Sequence, residues 1–386
     1  MTIAGHRRVT SFFNFTDMKK LALLLLTLFV AWSCTDSSTT GLNDDDFDRE
    51  AILVNWADNI IIPSFENFAS TTESLQSAAQ QFSDNPSDET LNTLREEWLD
   101  SYLAWQHVSM FEMGMPMDLR YRNNINIYPT DTEEIESNIS EGGYNLELPA
   151  LVDSQGFPAL DYLLYGLGET DQEILSFYTT NEQADAYKTY VTNLATRIDS
   201  LTDIVLADWN SGYRDEFVGN LGDGANSSLD MMVNDYIFYY EKSLRAGKVG
   251  IPAGVFSGTA LDSHVEGFYS EEYSKDLLLE SIDAAQNFFN GNHFGSETTG
   301  ESLNSYLEYL GTQKDGASLA NLINSQFEEA RLEAEELNND LSAQVEADNT
   351  KMLSAYDALQ QNVVYLKVDM LQALNINVDY VDADGD

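Results

Sequence analysis

Cysteine is almost absent from this chain of 386 residues, which contains only Cys34. That cysteine follows a mostly apolar stretch, residues 21–32, which is itself preceded by Lys19 and Lys20. The pattern is typical of an export signal, and the stretch is too short to span a bilayer. We therefore expect residues 1–34 to be a signal peptide that ends at a lipidated Cys34. The lipid would anchor the protein to a membrane, which is thus an expected partner. No cysteine then remains for a disulfide, a thiolate metal site or a nucleophile.

Basic residues are also scarce, since 19 Lys and Arg stand against 65 Asp and Glu, a net charge of −46. Without residues 1–34 the chain carries 15 basic and 64 acidic residues, a net charge of −49. Such a surface repels other polyanions. Nucleic acid and anionic lipid surfaces are therefore excluded as partners, and most of the acidic residues are expected to form a solvated surface.

Histidine is rare as well, and only three histidines lie beyond the predicted signal: His107, His264 and His293. The sequence contains no HExxH, GxSxG, P-loop or dinucleotide-binding pattern, which argues against the common zinc-protease, serine-hydrolase and nucleotide-binding sites. A metal site would have to rely on carboxylate oxygens, which suit hard cations. If there is a cofactor, we expect iron or another hard cation.

Apolar residues recur every three or four positions along most of the remaining chain, which predicts amphipathic helices. One predicted helix has Asn85 as its N-cap and a buried stripe of Leu91, Leu94, Trp98, Tyr102 and Trp105. The longest stripe is Tyr187, Val191, Leu194, Ile198, Leu201 and Val205. Residues 35–46 contain a single apolar side chain, Leu42, and predict a flexible tether. No segment shows strand alternation together with hairpin turns. The sequence thus predicts an all-α protein made of two antiparallel helical bundles, residues 47–210 and 211–380, with the boundary at the WNSGY segment.

Two irregular stretches interrupt the helical pattern, residues 114–156 and 247–267, and both are rich in glycine or proline. Each is too long for a simple connection between neighbouring helices, so each is a candidate for lining a site. Glu112 lies just before the first stretch, and Lys248 lies within the second. His107 precedes both on the second long helix and is a further candidate.

The run GFPALDYLLYG, residues 156–166, places one acid, Asp161, among apolar residues. A helix that buries the leucines carries Asp161 inward, where an unpaired carboxylate costs several kcal/mol. Asp161 therefore needs a cation or several hydrogen bonds. Lys367 and Asp369 are notable for the same reason, because they are charges in the apolar run VVYLKVDML.

Several segments resemble the imelysin-like family of exported bacterial proteins: REEWLDSYLAW (95–105), FEMG (111–114), GFPALDYLLYG, KVGIPAG (248–254) and LKVDM (366–370). The lipoprotein signal and the DADGD ending are similar to the branch found in Bacteroidota. The resemblance implies two α-helical bundles with a site between them, and a family with peptidase-classified and iron-regulated members.

The signature of that family is GxHxxE. Gly156 matches it, but Pro158 stands at the histidine position and Asp161 at the glutamate position. Proline offers no ligand atom, so the family's metal-binding or catalytic pair is not carried over and peptidase activity is not expected.

We expect, first, a non-enzymatic envelope lipoprotein of the periplasm or outer-membrane surface that acts in iron acquisition and binds a ligand or an envelope protein between the bundles. The candidate pocket consists of Asp161, Glu112, Lys248, His107, Lys367 and Asp369. A second hypothesis is a metal-dependent peptidase that uses Glu112 and Asp161. A third is a structural or adhesive envelope module.

Overall fold

The fold is known from a computed structural model that describes residues 46–222 and 224–380. The predicted signal, Cys34, all but the last residue of the predicted tether, and the DADGD ending lie outside the described residues. The α-helices of the first half are α1 (Arg49–Asn55), α2 (Ile62–Asp84), α3 (Asp88–Val108), α4 (Met115–Leu119), α5 (Tyr121–Ile125), α6 (Thr132–Glu141), α7 (Gly156–Asp161), α8 (Asp171–Thr179) and α9 (Ala184–Asp208).

The α-helices of the second half are α10 (Arg214–Gly219), α11 (Ser228–Phe238), α12 (Ser274–Asn290), α13 (Leu303–Tyr309), α14 (Leu319–Glu335), α15 (Leu341–Val363) and α16 (Leu371–Leu374). Two-residue strands, Gln313–Lys314 and Ala317–Ser318, form one small antiparallel hairpin. The described residues are otherwise helices and connections, which confirms the predicted all-α class.

Several helices contain or continue into wider, π-helical turns. These segments are Trp56–Ile61, Tyr162–Gly166, Trp209–Tyr213, Tyr239–Gly250 and Val364–Met370. A π-helical turn shifts the direction of the side chains that follow it, and such turns are frequent at functional sites. Three of the segments directly follow or contain candidate residues, namely Asp161, Lys248, and the pair Lys367 and Asp369.

The predicted apolar stripes form the core of the protein. All five stripe residues of α3 are buried, and so are all six of α9: Leu91, Leu94, Trp98, Tyr102 and Trp105; Tyr187, Val191, Leu194, Ile198, Leu201 and Val205. Helix α2 packs on both α3 and α9, and α15 packs on α14 and on the Tyr239–Gly250 segment. Helix α12 packs on α14 and also on α3. This contact brings residues of the two halves of the sequence together.

The start of α3 differs from the predicted one. The sequence suggested Asn85 as the N-cap, but Ser87 has that role: its hydroxyl accepts from the Thr90 amide at 3.3 Å, and the Thr90 hydroxyl accepts from the Ser87 amide at 3.1 Å. This reciprocal pair satisfies two amides that would otherwise lack partners. Asn85 instead ends α2.

The chain breaks its helical geometry at Gly212, as the WNSGY segment suggested. The described residues nevertheless belong to a single compact unit. The division into bundles at residue 210 therefore stays a prediction. Among the described residues, none of the helices is both long and apolar enough for a membrane span.

Candidate functional site

A cavity of about 340 Å³ lies where the two irregular stretches meet. We call it the Lys248 cavity. The residues that matter for its chemistry are Trp105, Gln106, Glu112, Arg122, Asn126, Tyr128, Phe238, Tyr239, Lys242, Lys248 and His264. Its walls come from the end of α3, from the stretch that contains α5, and from the Tyr239–Gly250 segment with the turns after it. The volume is within the range of small-molecule sites in proteins.

A buried ion pair between Lys248 and Glu266 lies against this cavity, with side chains that are 4% and 2% exposed. The Lys248 ammonium also donates to Gln106 Oε1 at 3.0 Å. Glu266 accepts from Asn126 Nδ2 at 2.6 Å and from Gln106 Nε2 at 3.4 Å. Burial lowers the pKa of Lys248, and the Glu266 carboxylate opposes that shift. The network joins residues of α3, of the first irregular stretch and of the second.

Glu112 belongs to a second charged group at the cavity. Its carboxylate accepts from the Arg122 amide at 3.2 Å, and the Arg122 guanidinium contacts Asp235 at 3.2 Å. Burial raises the pKa of Glu112 to about 7; Arg122 opposes the shift and Asp235 adds to it. Glu112 therefore exchanges a proton near neutral pH.

Asp161 is buried at the end of α7, with 2% of its surface exposed. One carboxylate oxygen, Oδ2, accepts from the Tyr269 amide at 2.8 Å, while Oδ1 is buried and has no hydrogen-bond partner. Burial raises the pKa of Asp161 to about 7, against the lowering effect of Tyr269 and Ser270. No ion pair involves Asp161 within the described ranges. Of the two expected ways to stabilise Asp161, a cation or hydrogen bonds, the structure shows hydrogen bonds from a loop that is distant in the sequence.

Pro158 and two glycines lie at the ends of the segment around Asp161. Helix α7 starts at Gly156, with Pro158 in its first turn, and the π-helical segment after it ends at Gly166. Gly156 has a φ of +78°, and a Cβ there would lie 2.1 Å from the Ile125 carbonyl oxygen. This glycine is required by the close approach of two backbones. Asp161 and Pro158 line a small cavity of about 50 Å³ that shares Tyr128 with the Lys248 cavity.

The remaining three candidates lie elsewhere. His107 contacts Glu280 and lines a separate cavity of about 330 Å³ together with His293. Lys367 contacts Glu241 at 2.8 Å.

Asp369 pairs with Lys314. Neither Lys367 nor Asp369 lines the Lys248 cavity. The single predicted pocket is therefore wrong in this respect, because each of the six side chains contacts a different neighbour and only Glu112 and Lys248 share a cavity. The pair proposed for a peptidase, Glu112 and Asp161, is also divided between two cavities.

The side chains at the candidate site do not form a set of ligands that fits a directly coordinated hard cation. In residues 46–222 and 224–380, no group of three or more His, Cys, Asp or Glu is placed to hold a metal ion. Around the cavity, the carboxylates of Asp235 and Glu266 each face a base. A cation there would have to displace Arg122 or Lys248 from its partner, which is costly for buried charges.

Glu266 and Gln106 are central to the network, yet sequence reasoning did not single them out. Gln106 follows Trp105 on α3 and is only 1% exposed. A polar residue next to a buried stripe was the available signal, but the same pattern also fits a residue at the edge of a solvated face. Glu266 stands in the irregular stretch, where no periodicity indicates which side chains are buried.

Comparison with known proteins agrees with the helical architecture. An imelysin-like protein from Psychrobacter arcticum 273-4 has a TM-score of 0.66 at 17% identity, covering 86% of this chain and 96% of that one. An iron-regulated protein A precursor from Parabacteroides distasonis ATCC 8503 has a TM-score of 0.68 at 16% identity, covering 84% and 94%. No curated protein gives a significant sequence match. The imelysin (Peptidase M75) family pattern matches residues 61–368. The chain therefore belongs to the imelysin family.

Proposed function

We propose that this imelysin-family chain is a non-enzymatic lipoprotein of the cell envelope that takes part in iron acquisition and binds its ligand in the Lys248 cavity. The observation that carries the proposal is the cavity itself, about 340 Å³ in volume and lined by both irregular stretches. Its polar wall is held in place by the buried Lys248, Glu266 and Gln106 network. A wall held by buried hydrogen bonds is suited to binding, because little ordering is needed when a ligand enters.

The link to iron rests on the relative from Parabacteroides distasonis, which is described as an iron-regulated protein A precursor. Export and anchoring rest on residues 18–34, which have the form of a lipoprotein signal ending at Cys34. Under this proposal Cys34 holds the protein at a membrane, and the acidic surface keeps the folded part in solution.

Protein purified natively from cells grown with and without iron tests the proposal. Iron starvation is expected to raise the amount of protein, and mass spectrometry with elemental analysis is expected to find a retained organic ligand, iron or both. A Cys34→Ser variant is expected to leave the membrane fraction, whereas Ser33→Ala is the matched control. Unchanged amounts during starvation, together with a preparation free of ligand and iron, would refute the iron-related binding function.

A further inference from the structure

A second cavity, with a volume of about 740 Å³, lies between α9 and the first irregular stretch. We call it the Arg197 cavity. Helix α9 contributes Arg197, Leu201 and Ile204 to its wall, and the irregular stretch contributes Arg120, Leu146 and Val152. The Arg197 cavity and the Lys248 cavity have none of their described lining residues in common. Its volume is within the range of small-molecule sites in proteins.

Arg197 is partly buried and is held by neutral acceptors. Its Nε donates to Gln155 Oε1, and its Nη2 donates to Asn124 Oδ1 at 3.2 Å. Gln155 is itself fixed, because it is 1% exposed and donates to the carbonyls of Leu146 and Leu151 at 3.0 Å. Within residues 46–222 and 224–380, Arg197 forms no ion pair and its Nη1 has no hydrogen-bond partner. The guanidinium is therefore fixed in position with one nitrogen still able to donate.

Arg120 is the second base of this cavity, and it lies where α4 ends and α5 begins. Its φ of +51° is in the left-handed region, which residues other than glycine rarely adopt, and such strain is frequent at functional sites. Asn124 joins the two bases, because its Nδ2 donates to the Arg120 carbonyl at 3.1 Å and its Oδ1 accepts from Arg197. In the part of the chain that the structure describes, the Arg120 guanidinium makes no ion pair and no hydrogen bond.

Bases without a carboxylate partner are unusual in this protein. Acidic residues outnumber basic ones by 65 to 19, and most bases in the described ranges contact a carboxylate. Arg120 and Arg197 do not, and both line the same cavity. Burial lowers the pKa of Arg197, against the effect of Glu147, which indicates that its charge is poorly solvated. An anionic ligand would supply the counter-charge that the fold does not.

The two acids of the wall limit the charge of that anion. Asp118 and Glu147 also line the cavity, and both are exposed. Water screens exposed charges more strongly than buried ones, so Arg197 acts on a ligand more strongly than either acid does. A ligand with one negative charge is therefore attracted, whereas each further negative charge adds repulsion from the acids and from the acidic surface of the protein.

The other part of the wall is apolar, which favours an organic molecule over an inorganic ion. Leu146 and Val152 lie on one side, and Leu201 and Ile204 lie on α9. Ile204 is 44% exposed, so a ligand that covers it removes apolar surface from water. The cavity thus combines two guanidinium groups with an apolar surface.

We propose that the Arg197 cavity binds a small organic acid that has one carboxylate and an apolar body. Arg120 and Arg197 bind the carboxylate, whose two oxygens match the paired N–H groups of a guanidinium. Leu201 and Ile204 contact the apolar body. The inference goes beyond the proposed function, because it assigns a ligand class to a cavity that the iron-related function does not use.

Calorimetric titration of the purified chain with 4-phenylbutyrate and with octanoate tests the inference. The neutral amide 4-phenylbutanamide, which has nearly the shape of the first acid, and inorganic phosphate, which lacks an apolar body, are the other probes. Both carboxylates are expected to bind. The amide and phosphate are expected to bind roughly tenfold more weakly or worse, because the first lacks the charge and the second lacks the apolar contact.

Arg120→Met is expected to weaken binding of 4-phenylbutyrate roughly tenfold, because one charged contact is lost. Arg120→Lys keeps the charge and is expected to retain most of the affinity. Glu147→Gln is expected to strengthen binding, because it removes a negative charge from the wall. The matched control is Lys188→Met, which removes a positive charge from α9 that pairs with Asp185 and does not line the cavity. Circular dichroism checks the fold of each variant before titration.

Absent binding of both carboxylates, or an equal loss in the Arg120→Met and Lys188→Met variants, would overturn the inference. An amide that binds as tightly as the acid would also overturn it, because the charge would then not be recognised. Phosphate that binds as tightly as the carboxylates would overturn the apolar part of it. Carboxylate binding that depends on Arg120, without any response of the protein to iron starvation, would support this site and leave only the iron-related function refuted.

Discussion

Replacement of Asp161 by asparagine is expected to stabilise the protein at alkaline pH and to have little effect at acidic pH. Asparagine has nearly the same shape, and its side-chain oxygen can still accept from the Tyr269 amide. It carries no charge at any pH. The aspartate, by contrast, must ionise in a buried position where its Oδ1 has no hydrogen-bond partner.

The magnitude follows from the pKa of Asp161, which burial raises from 3.8 to about 7. Because the folded state binds this proton more tightly than the unfolded state, the stabilisation is fully present below the unfolded pKa and is lost as pH rises through about 7. Between about pH 5 and about pH 8.5 the loss is roughly 3 kcal/mol. With an unfolding entropy of about 2.1 cal/mol/K per residue, this corresponds to roughly 4 °C in Tm.

Urea and thermal unfolding of the unmodified chain and of Asp161→Asn at both pH values measure this effect. The free energy of unfolding of the variant, minus that of the unmodified chain, is expected to increase by roughly 3 kcal/mol from the lower to the higher pH. Glu112 titrates in the same range, but it is present in both proteins, so its contribution cancels to first order.

Asp100→Asn, which removes an exposed carboxylate from α3, is the control and is expected to show a much smaller change with pH. A difference for Asp161→Asn that stays constant with pH would refute the reasoning. It would mean that a cation or water stabilises the ionised carboxylate of Asp161 as well as bulk water does.

Three further substitutions test other parts of the structure. Gly156→Ala is expected to lower the free energy of unfolding by about 2 kcal/mol or more, since φ is positive and the new Cβ meets the Ile125 carbonyl; an unchanged urea midpoint contradicts this. Glu266→Ala leaves Lys248 buried without its carboxylate and is expected to lower the free energy of unfolding by about 3–5 kcal/mol. The double variant Glu266→Ala with Lys248→Met is expected to regain part of that loss, because it removes the unpaired buried charge. Ser87→Ala removes the cap of α3 and is expected to cost about 1 kcal/mol, with faster hydrogen exchange in the first turn; unchanged exchange would argue against the capping role.

The helices could be predicted from the sequence because their signals are local. The stripe of Leu91, Leu94, Trp98, Tyr102 and Trp105 recurs with the period of an α-helix, and all five side chains are buried. The N-cap of α3 was two residues away from the predicted position. Such boundary errors are expected where several polar residues precede a helix, since each of them can cap it.

The candidate site could be predicted only in part. The sequence indicated that Asp161 is buried, because its apolar neighbours leave no solvated helix face. It could not indicate the partner, which is the backbone amide of Tyr269, 108 positions later in the chain. Every residue except proline has such an amide, so the side-chain pattern contains no signal for this hydrogen bond.

The sequence by itself determined the helical class, the strongly acidic surface and the need for Asp161 to be stabilised inside the protein, because composition and local periodicity control these properties. Tertiary structure alone decided that Lys248 pairs with Glu266 and that Lys367 pairs with Glu241. It also decided that only Glu112 and Lys248 of the six candidates share a cavity. Ion pairs and hydrogen bonds require separations of a few ångströms. Those separations are set by how helices that are far apart in the sequence pack on one another.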